Sequence, residues 1–148
     1  MRVFFYSILI SIICISLLPS CTIDQTDGPE AIRFGQIVGN YTGKMERCTL
    51  FVVQSDSVCS QDFEEKLIIS ISDQKNIYIR TQSELIPRTR LMLLSEENFN
   101  GSKRFVFSST QEDTSHILTY SVNENQVLYT GISMSTQINT TVRFDGTK

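Results

Sequence analysis

The chain has 148 residues, of which 41% are hydrophobic, and its formal net charge at pH 7 is −3. This length suits one domain. The slight acidity argues against nucleic-acid binding, because contacts to phosphate need clustered lysine and arginine. The close basic pairs, Arg88 with Arg90 and Lys103 with Arg104, are expected to lie on a solvated surface.

Residues 1–20 have the pattern of a secretory signal peptide. Arg2 is the only charged residue before Asp24, and residues 3–18 are apolar except for three serines. This run is shorter than the roughly 20 residues that a membrane-spanning helix needs. A basic start before a short apolar segment is typical of an exported protein. The alternative is a helix that stays buried or spans the membrane.

The leader ends in Leu18-Pro19-Ser20-Cys21, which resembles the lipobox of bacterial lipoproteins. The resemblance implies cleavage before Cys21, a diacylglyceryl group on its thiol and further acylation, for example by palmitate, of the new amino terminus. Several acyl chains together anchor a protein stably in a membrane. It also implies a lipid-anchored location in the bacterial cell envelope, at the outer membrane on its periplasmic or surface side. The alternative is an ordinary cleavage site with an unmodified Cys21.

Residues 21–35 then form the lipidated cysteine and a polar tether, with no hydrophobic periodicity. Beyond them only Cys48 and Cys59 remain as cysteines, and an even pair in an exported protein favours a disulfide. The alternative is two free, buried thiols. Their spacing does not match a paired metal-binding motif, and the lone His116 offers no ligand cluster, so we expect no metal.

From residue 36 the chain consists of short β-type runs separated by turn residues. In the first run, every second position is apolar or small. These positions are Ile37, Gly39, Tyr41, Gly43 and Met45. Cys48 and Leu50 have the opposite parity, which predicts a bulge or corner near residues 46–47.

The middle of the domain predicts a hairpin. Residues 67–71 and 77–81 are β-type runs around a turn at 73–76, whereas residues 62–66 could instead form one helical turn. Pro87 places 82–87 in a loop. A short strand over 90–94 is followed by a long turn that contains Asn100 and Gly101.

Alternating runs at 104–108, 116–122, 126–134 and 138–144 complete about eight predicted strands. Closure into a barrel removes the exposed edges of such a meander. The predicted fold class is therefore all-β, a single antiparallel up-and-down β-barrel over residues 36–148.

Two segments resemble the calycin-like, lipocalin-type barrels of bacterial lipoproteins. They are residues 39–43, Gly-Asn-Tyr-Thr-Gly, and residues 143–148, Arg-Phe-Asp-Gly-Thr-Lys. In that family an aromatic residue, usually tryptophan, plugs one end of the barrel, and Tyr41 has that position here. The family implies binding of an apolar ligand for some members and no assigned activity for many.

No catalytic constellation stands out, and the chain is not expected to be an enzyme or to need a cofactor. His116 has no nucleophile motif to accompany it and is interpreted as a surface imidazole. The neighbouring carboxylates at 62–65 and 112–113 would point to opposite faces of an extended chain and would not converge on one substrate.

One favoured function and two alternatives remain. The favoured prediction is a structural or protein-interacting envelope lipoprotein with a packed barrel interior. The alternatives are a carrier of a small apolar ligand and a periplasmic hydrolase inhibitor. For the carrier, the candidate interior residues are Tyr41, Met45, Ile69, Ile79, Phe105, Phe107, Tyr120, Val142 and Phe144.

Overall fold

The computed structural model describes residues 35–148, apart from the side chain of Phe63. The predicted leader, the lipobox cysteine Cys21 and most of the tether lie outside the described residues. Within residues 35–148, no helix has the length and hydrophobicity that a membrane crossing requires.

The described chain forms a closed barrel in which each strand is antiparallel to its neighbours in sequence and the last strand pairs with the first. The eight strands are β1 Gly39–Phe51, β2 Asp56–Ile71, β3 Asn76–Thr81, β4 Thr89–Phe99, β5 Ser102–Gln111, β6 Thr114–Ser121, β7 Gln126–Met134 and β8 Ile138–Thr147. The predicted all-β up-and-down barrel is therefore confirmed.

The β4–β5 connection is shorter than predicted. β4 continues to Phe99, which pairs with Ser102 across a two-residue turn. Asn100 and Gly101 form this turn with φ values of 50° and 77°, the backbone that a two-residue hairpin needs and that asparagine and glycine tolerate best. The turn residues were correctly predicted, but the polar run before them is strand.

The predicted phase slip in β1 is wrong. Met45 is buried and Leu50 is exposed, as expected for unbroken alternation from Tyr41. The irregularity is a bulge in the neighbouring strand β2. The register of β1 with β2 passes from Gly43–Glu65 to Met45–Asp62, which leaves one extra residue in β2. The segment 62–66, which was a candidate helical turn, is part of this bulged strand.

We call the end of the barrel at which β1 begins the lower end. The lower half of the barrel interior is packed with apolar side chains. One row around the wall, connected by cross-strand register, contains Met45, Phe144, Tyr129, Leu118 and Phe107. The next row down contains Gly43, Gly146, Val127, Tyr120 and Phe105. Apart from the two glycines, all of these residues belong to the buried core.

The chain segment before β1 closes the lower end of the barrel. Ile37 is fully buried there, and its carbonyl accepts a 2.7 Å hydrogen bond from the hydroxyl of Tyr41. The ring of Tyr41 meets that of Tyr120 edge to face, with centroids 6.2 Å apart. Lys148 Nζ donates to the carbonyl of Val38 at 2.7 Å. Tyr41 is thus fully buried at the lower end of the barrel.

The predicted disulfide is present. Cys48 and Cys59 are directly opposite each other on β1 and β2, with Cα atoms 4.1 Å apart and a covalent bond between their sulfurs. The bond joins the two longest strands near the open end of the barrel.

Removal of this disulfide should lower the free energy of unfolding by about 2–3 kcal/mol, because the unfolded chain regains the entropy of a loop closed over 11 residues. The measurement is urea denaturation of the wild type and of the double variant Cys48→Ser, Cys59→Ser. A reductant should destabilise the wild type by the same amount and leave the double variant unchanged. Equal midpoints for the two oxidised proteins would contradict this expectation.

Candidate functional site

Above the packed rows, the upper half of the barrel contains an open cavity of about 780 Å³, which we call the cup. This volume lies within the range of small-molecule sites in proteins. Residues of β1 and of β3–β8 line the cup, and the β3–β4 loop forms part of the lip. The cup opens at the end opposite to Ile37.

The first row above the core is chemically mixed. Cross-strand register connects Ser109, His116, Gly131, Val142 and Arg47 in this order around the wall, and we call these five residues the mixed row. All five line the cup. A cation and an imidazole therefore lie at the same height, separated by two residues with small or apolar side chains.

The next row up is polar. It contains Gln111, Thr114, Ser133, Thr140 and Thr49, which we call the hydroxyl row. The interior thus changes from aromatic to mixed to hydroxyl-rich over three rows. Such a gradient suits a ligand with one apolar and one polar part, because each part then meets its own kind of surface.

His116 and Tyr129 form a hydrogen-bonded pair at the floor of the cup. His116 Nδ1 and Tyr129 Oη are 2.8 Å apart, and the two rings are nearly parallel. Burial lowers the pKa of His116 and raises that of Tyr129, so both are neutral near pH 7. Whichever of the two donates within the pair, the other retains one N–H or O–H proton that can be donated elsewhere.

Gly131 makes room for this pair. A Cβ atom at this position would collide with the hydroxyl of Tyr129 and lie 3.1 Å from His116 Nδ1. The absence of a side chain on the central strand of the mixed row therefore lets the phenol reach the imidazole.

Three arginines and one carboxylate, Glu84, line the cup. Arg90 is paired with Asp73 at 2.7 Å, and Arg88 stacks on the ring of Tyr78 at 4.0 Å. Among the described residues, no carboxylate pairs with Arg47. The cup is therefore electropositive in a chain whose net charge is −3.

The lip of the cup is fixed by contacts to β2 and β3. Glu65, only 6% exposed, accepts hydrogen bonds from the amides of Lys66 and Ser83, both at 3.1 Å. Burial of Glu65 acts to raise its pKa, but the hydrogen bonds from Ser83 and Lys66 outweigh it and hold the pKa below its usual value. The amide of Ile86 donates to Thr81 Oγ1 at 2.9 Å, and the Ile86 side chain is buried.

The nine residues predicted to line the barrel interior are divided between its two halves. Val142 lines the cup, in the mixed row. The other eight belong to the packed core beneath it: Tyr41, Met45, Ile69, Ile79, Phe105, Phe107, Tyr120 and Phe144. The sequence identified inward-facing positions but did not distinguish core from cavity.

His116 is not the surface imidazole that the sequence suggested. It is half-buried and faces inward, because it lies two residues before the buried Leu118 on β6. This same-face spacing was visible in the sequence. What the sequence did not show is its neighbour Tyr129, which is 13 residues away and is brought close by the β6–β7 register.

No known protein family model matches the chain, and no curated protein matches it significantly. Among residues 35–148, no group of three or more histidine, cysteine, aspartate or glutamate side chains could hold a metal ion.

The environment of His116 predicts a pH dependence of stability. Its pKa is lowered in the folded state, so below about pH 6.5 the unfolded chain binds more protons than the folded one, and the free energy of unfolding falls as the pH falls. His116 is the only histidine in the chain. Urea denaturation between pH 7 and 5.5 should show a smaller loss for His116→Gln than for the wild type. Equal losses would contradict this expectation.

Proposed function

We propose that this protein is a lipid-anchored envelope protein that binds one small molecule in the cup of its barrel. The proposal rests on one observation, the division of the barrel interior into two layers. The lower layer is a packed apolar core, and an open cup of about 780 Å³ lies above it. A purely structural barrel of this size would gain stability by filling that volume with side chains.

Binding of paired dyes tests the proposal. The probes are 8-anilinonaphthalene-1-sulfonate, an anion, and N-phenyl-1-naphthylamine, its uncharged analogue. We expect at least one of them to bind the purified protein saturably, with a stoichiometry of one. Thr140→Phe should weaken that binding at least tenfold, because Thr140 faces the cup.

The control is Thr141→Phe, which introduces the same side chain on the outer face of the same strand, opposite Cys48. It should leave the affinity unchanged. Failure of both dyes to bind saturably, or equal effects of the two substitutions, would refute a binding site in the cup.

The lipid anchor is part of the proposal and rests on the lipobox resemblance at Cys21. The described chain begins at the closed end of the barrel, next to Ile37, so an anchor joined there would leave the cup at the opposite end. Metabolic labelling with a fatty-acid analogue should mark the wild type and not Cys21→Ser. Equal labelling of both proteins would refute the anchor.

A second candidate function, docking of a partner protein, is favoured by the upper part of β2. β3 pairs only with residues 67–71 of β2, and the amide of Gln82 continues the pairing to Lys66. Above this point β2 has β1 as its only strand neighbour in the described chain. An edge of this kind can accept an extended segment of another protein.

The open edge presents backbone hydrogen-bonding groups at known positions. The 4.1 Å Cα separation of Cys48 and Cys59 is typical of a non-hydrogen-bonded antiparallel pair. The backbone N–H and C=O of Cys59 therefore point away from β1. Asp56, Asp62 and Glu64 make this part of β2 acidic, so the partner that fits it is an extended segment rich in lysine and arginine.

Site-specific photo-crosslinking in intact cells tests this docking. A photoreactive residue in place of Ser57 should capture a basic segment of one partner, and the same residue in place of Arg80, on the outer face of β3, should not. Capture of acidic or neutral segments, equal capture at both positions or no capture would refute the edge as a docking site. Hydrolase inhibition, the remaining prediction, has no specific support in these contacts.

A further inference from the structure

The chemistry of the mixed row goes beyond a generic binding cup. We propose that the cup selects a small organic anion with an apolar body, and that Arg47 binds its acidic group. This inference rests on the proposed function and specifies its ligand.

Arg47 is a cation without an internal counterion. It is exposed, it lines the cup, and none of the ion pairs among the described residues includes it. On β1 its neighbour in β8 is Val142 and its neighbour in β2 is Ser60, neither of which is charged. The guanidinium is therefore available to bind a carboxylate or sulfonate through two parallel hydrogen bonds.

The other side of the mixed row supplies a neutral donor. The His116–Tyr129 pair keeps one proton for an external acceptor, as derived above from its 2.8 Å hydrogen bond. Three strand spacings separate His116 from Arg47 along the wall, through Gly131 and Val142. At roughly 4.8 Å a strand, this is about 14 Å. An anion bound between them can reach both groups from inside the cup, which all four of these residues line.

The apolar body of the ligand has its own surface. Val142 in the wall and Leu85, Ile86 and Pro87 in the lip contribute apolar contacts on two sides of the cup. Arg88 and Arg90 also line the cup, but Arg88 stacks on Tyr78 and Arg90 is paired with Asp73. A dianion with no apolar part would leave these apolar surfaces without contacts, so the inference is limited to amphiphilic anions.

The same two dyes separate this inference from the proposed function, because they share one ring system and differ in a single sulfonate. We expect the anionic dye to bind at least tenfold more tightly than the neutral dye. Arg47→Gln should weaken binding of the anionic dye roughly 10- to 100-fold, the usual effect of losing a hydrogen-bonded charge partner. Binding of the neutral dye should change less than threefold.

Two further variants complete the test. Arg143→Gln removes an arginine from the outer face of β8, where it lies near Glu46, and it should leave both affinities unchanged. Tyr129→Phe keeps the buried ring and leaves one N–H on His116, but it removes the partner that fixes the orientation and tautomer of the imidazole, so it should weaken only the anionic dye. Decanoate should displace the anionic dye from the wild type, and 1-decanol at the same concentration should not.

The outcomes are distinguishable. Saturable binding of both dyes with equal affinity, or an anionic-dye affinity that Arg47→Gln leaves unchanged, would overturn the anion assignment and leave the binding cup intact. Equal losses of affinity for the anionic dye in Arg47→Gln and Arg143→Gln would also overturn the anion assignment, because they would indicate that the dye is attracted by the overall charge of the protein. Absence of saturable binding by either dye would overturn both the assignment and the proposed function.

Discussion

Phe107→Ala should lower the free energy of unfolding by about 3–5 kcal/mol, the usual cost of removing a buried phenyl ring. Phe107 is fully buried and lies in the apolar row directly below the cup, in register with Leu93 on one side and Leu118 on the other. A domain of this size has a total stability of roughly 5–15 kcal/mol, so the variant should be close to unfolding at ambient temperature. Urea denaturation followed by circular dichroism measures the change.

The matched control for this prediction is Phe99→Ala. Phe99 is 51% exposed at the end of β4, where the guanidinium of Arg104 lies 4.2 Å from the centre of its ring. We expect a loss of no more than about 1 kcal/mol, typical of an exposed cation–π contact. Similar losses in the two variants would mean that the lower half of the barrel is not the stabilising core described here.

Gly43→Ala should destabilise the barrel by about 3 kcal/mol, the upper end of the range for overpacking. Gly43 on β1 faces Gly146 on β8, at the pairing that closes the barrel. A Cβ atom on Gly43 would collide with the backbone carbonyl of Asp145 and with the Cα atom of Gly146. Backbone cannot move aside as a flexible side chain can, so the β1–β8 pair would have to separate. Thermal denaturation gives the loss.

Gly35→Ala is the control, because a Cβ atom there would meet nothing within 4 Å. Its melting temperature should match that of the wild type. If Gly43→Ala also melted at the wild-type temperature, β1 and β8 would not approach each other as closely as the structure has them.

The sequence by itself determined the fold class and most of the strands. Period-two alternation in runs such as residues 138–144 and turn residues such as Asn100 and Gly101 depend only on neighbours in the chain, so they can be read without a structure. About eight strands were predicted in this way, and the removal of exposed edges predicted their closure into an antiparallel barrel; both are confirmed. The Cys48–Cys59 disulfide, which is also confirmed, was predicted from an even pair of cysteines in an exported protein. Predictions for the leader and Cys21 stay predictions.

Only the tertiary structure decided which inward-facing residues form the core and which form the cup. Alternation tells the face of a residue but not its height in the barrel, because height depends on the stagger between strands. Arg47 and His116 are 69 positions apart in the chain and share one row only through the register of β1, β8, β7 and β6. The site is a property of that register, and register is fixed by long-range strand pairing that no local pattern encodes.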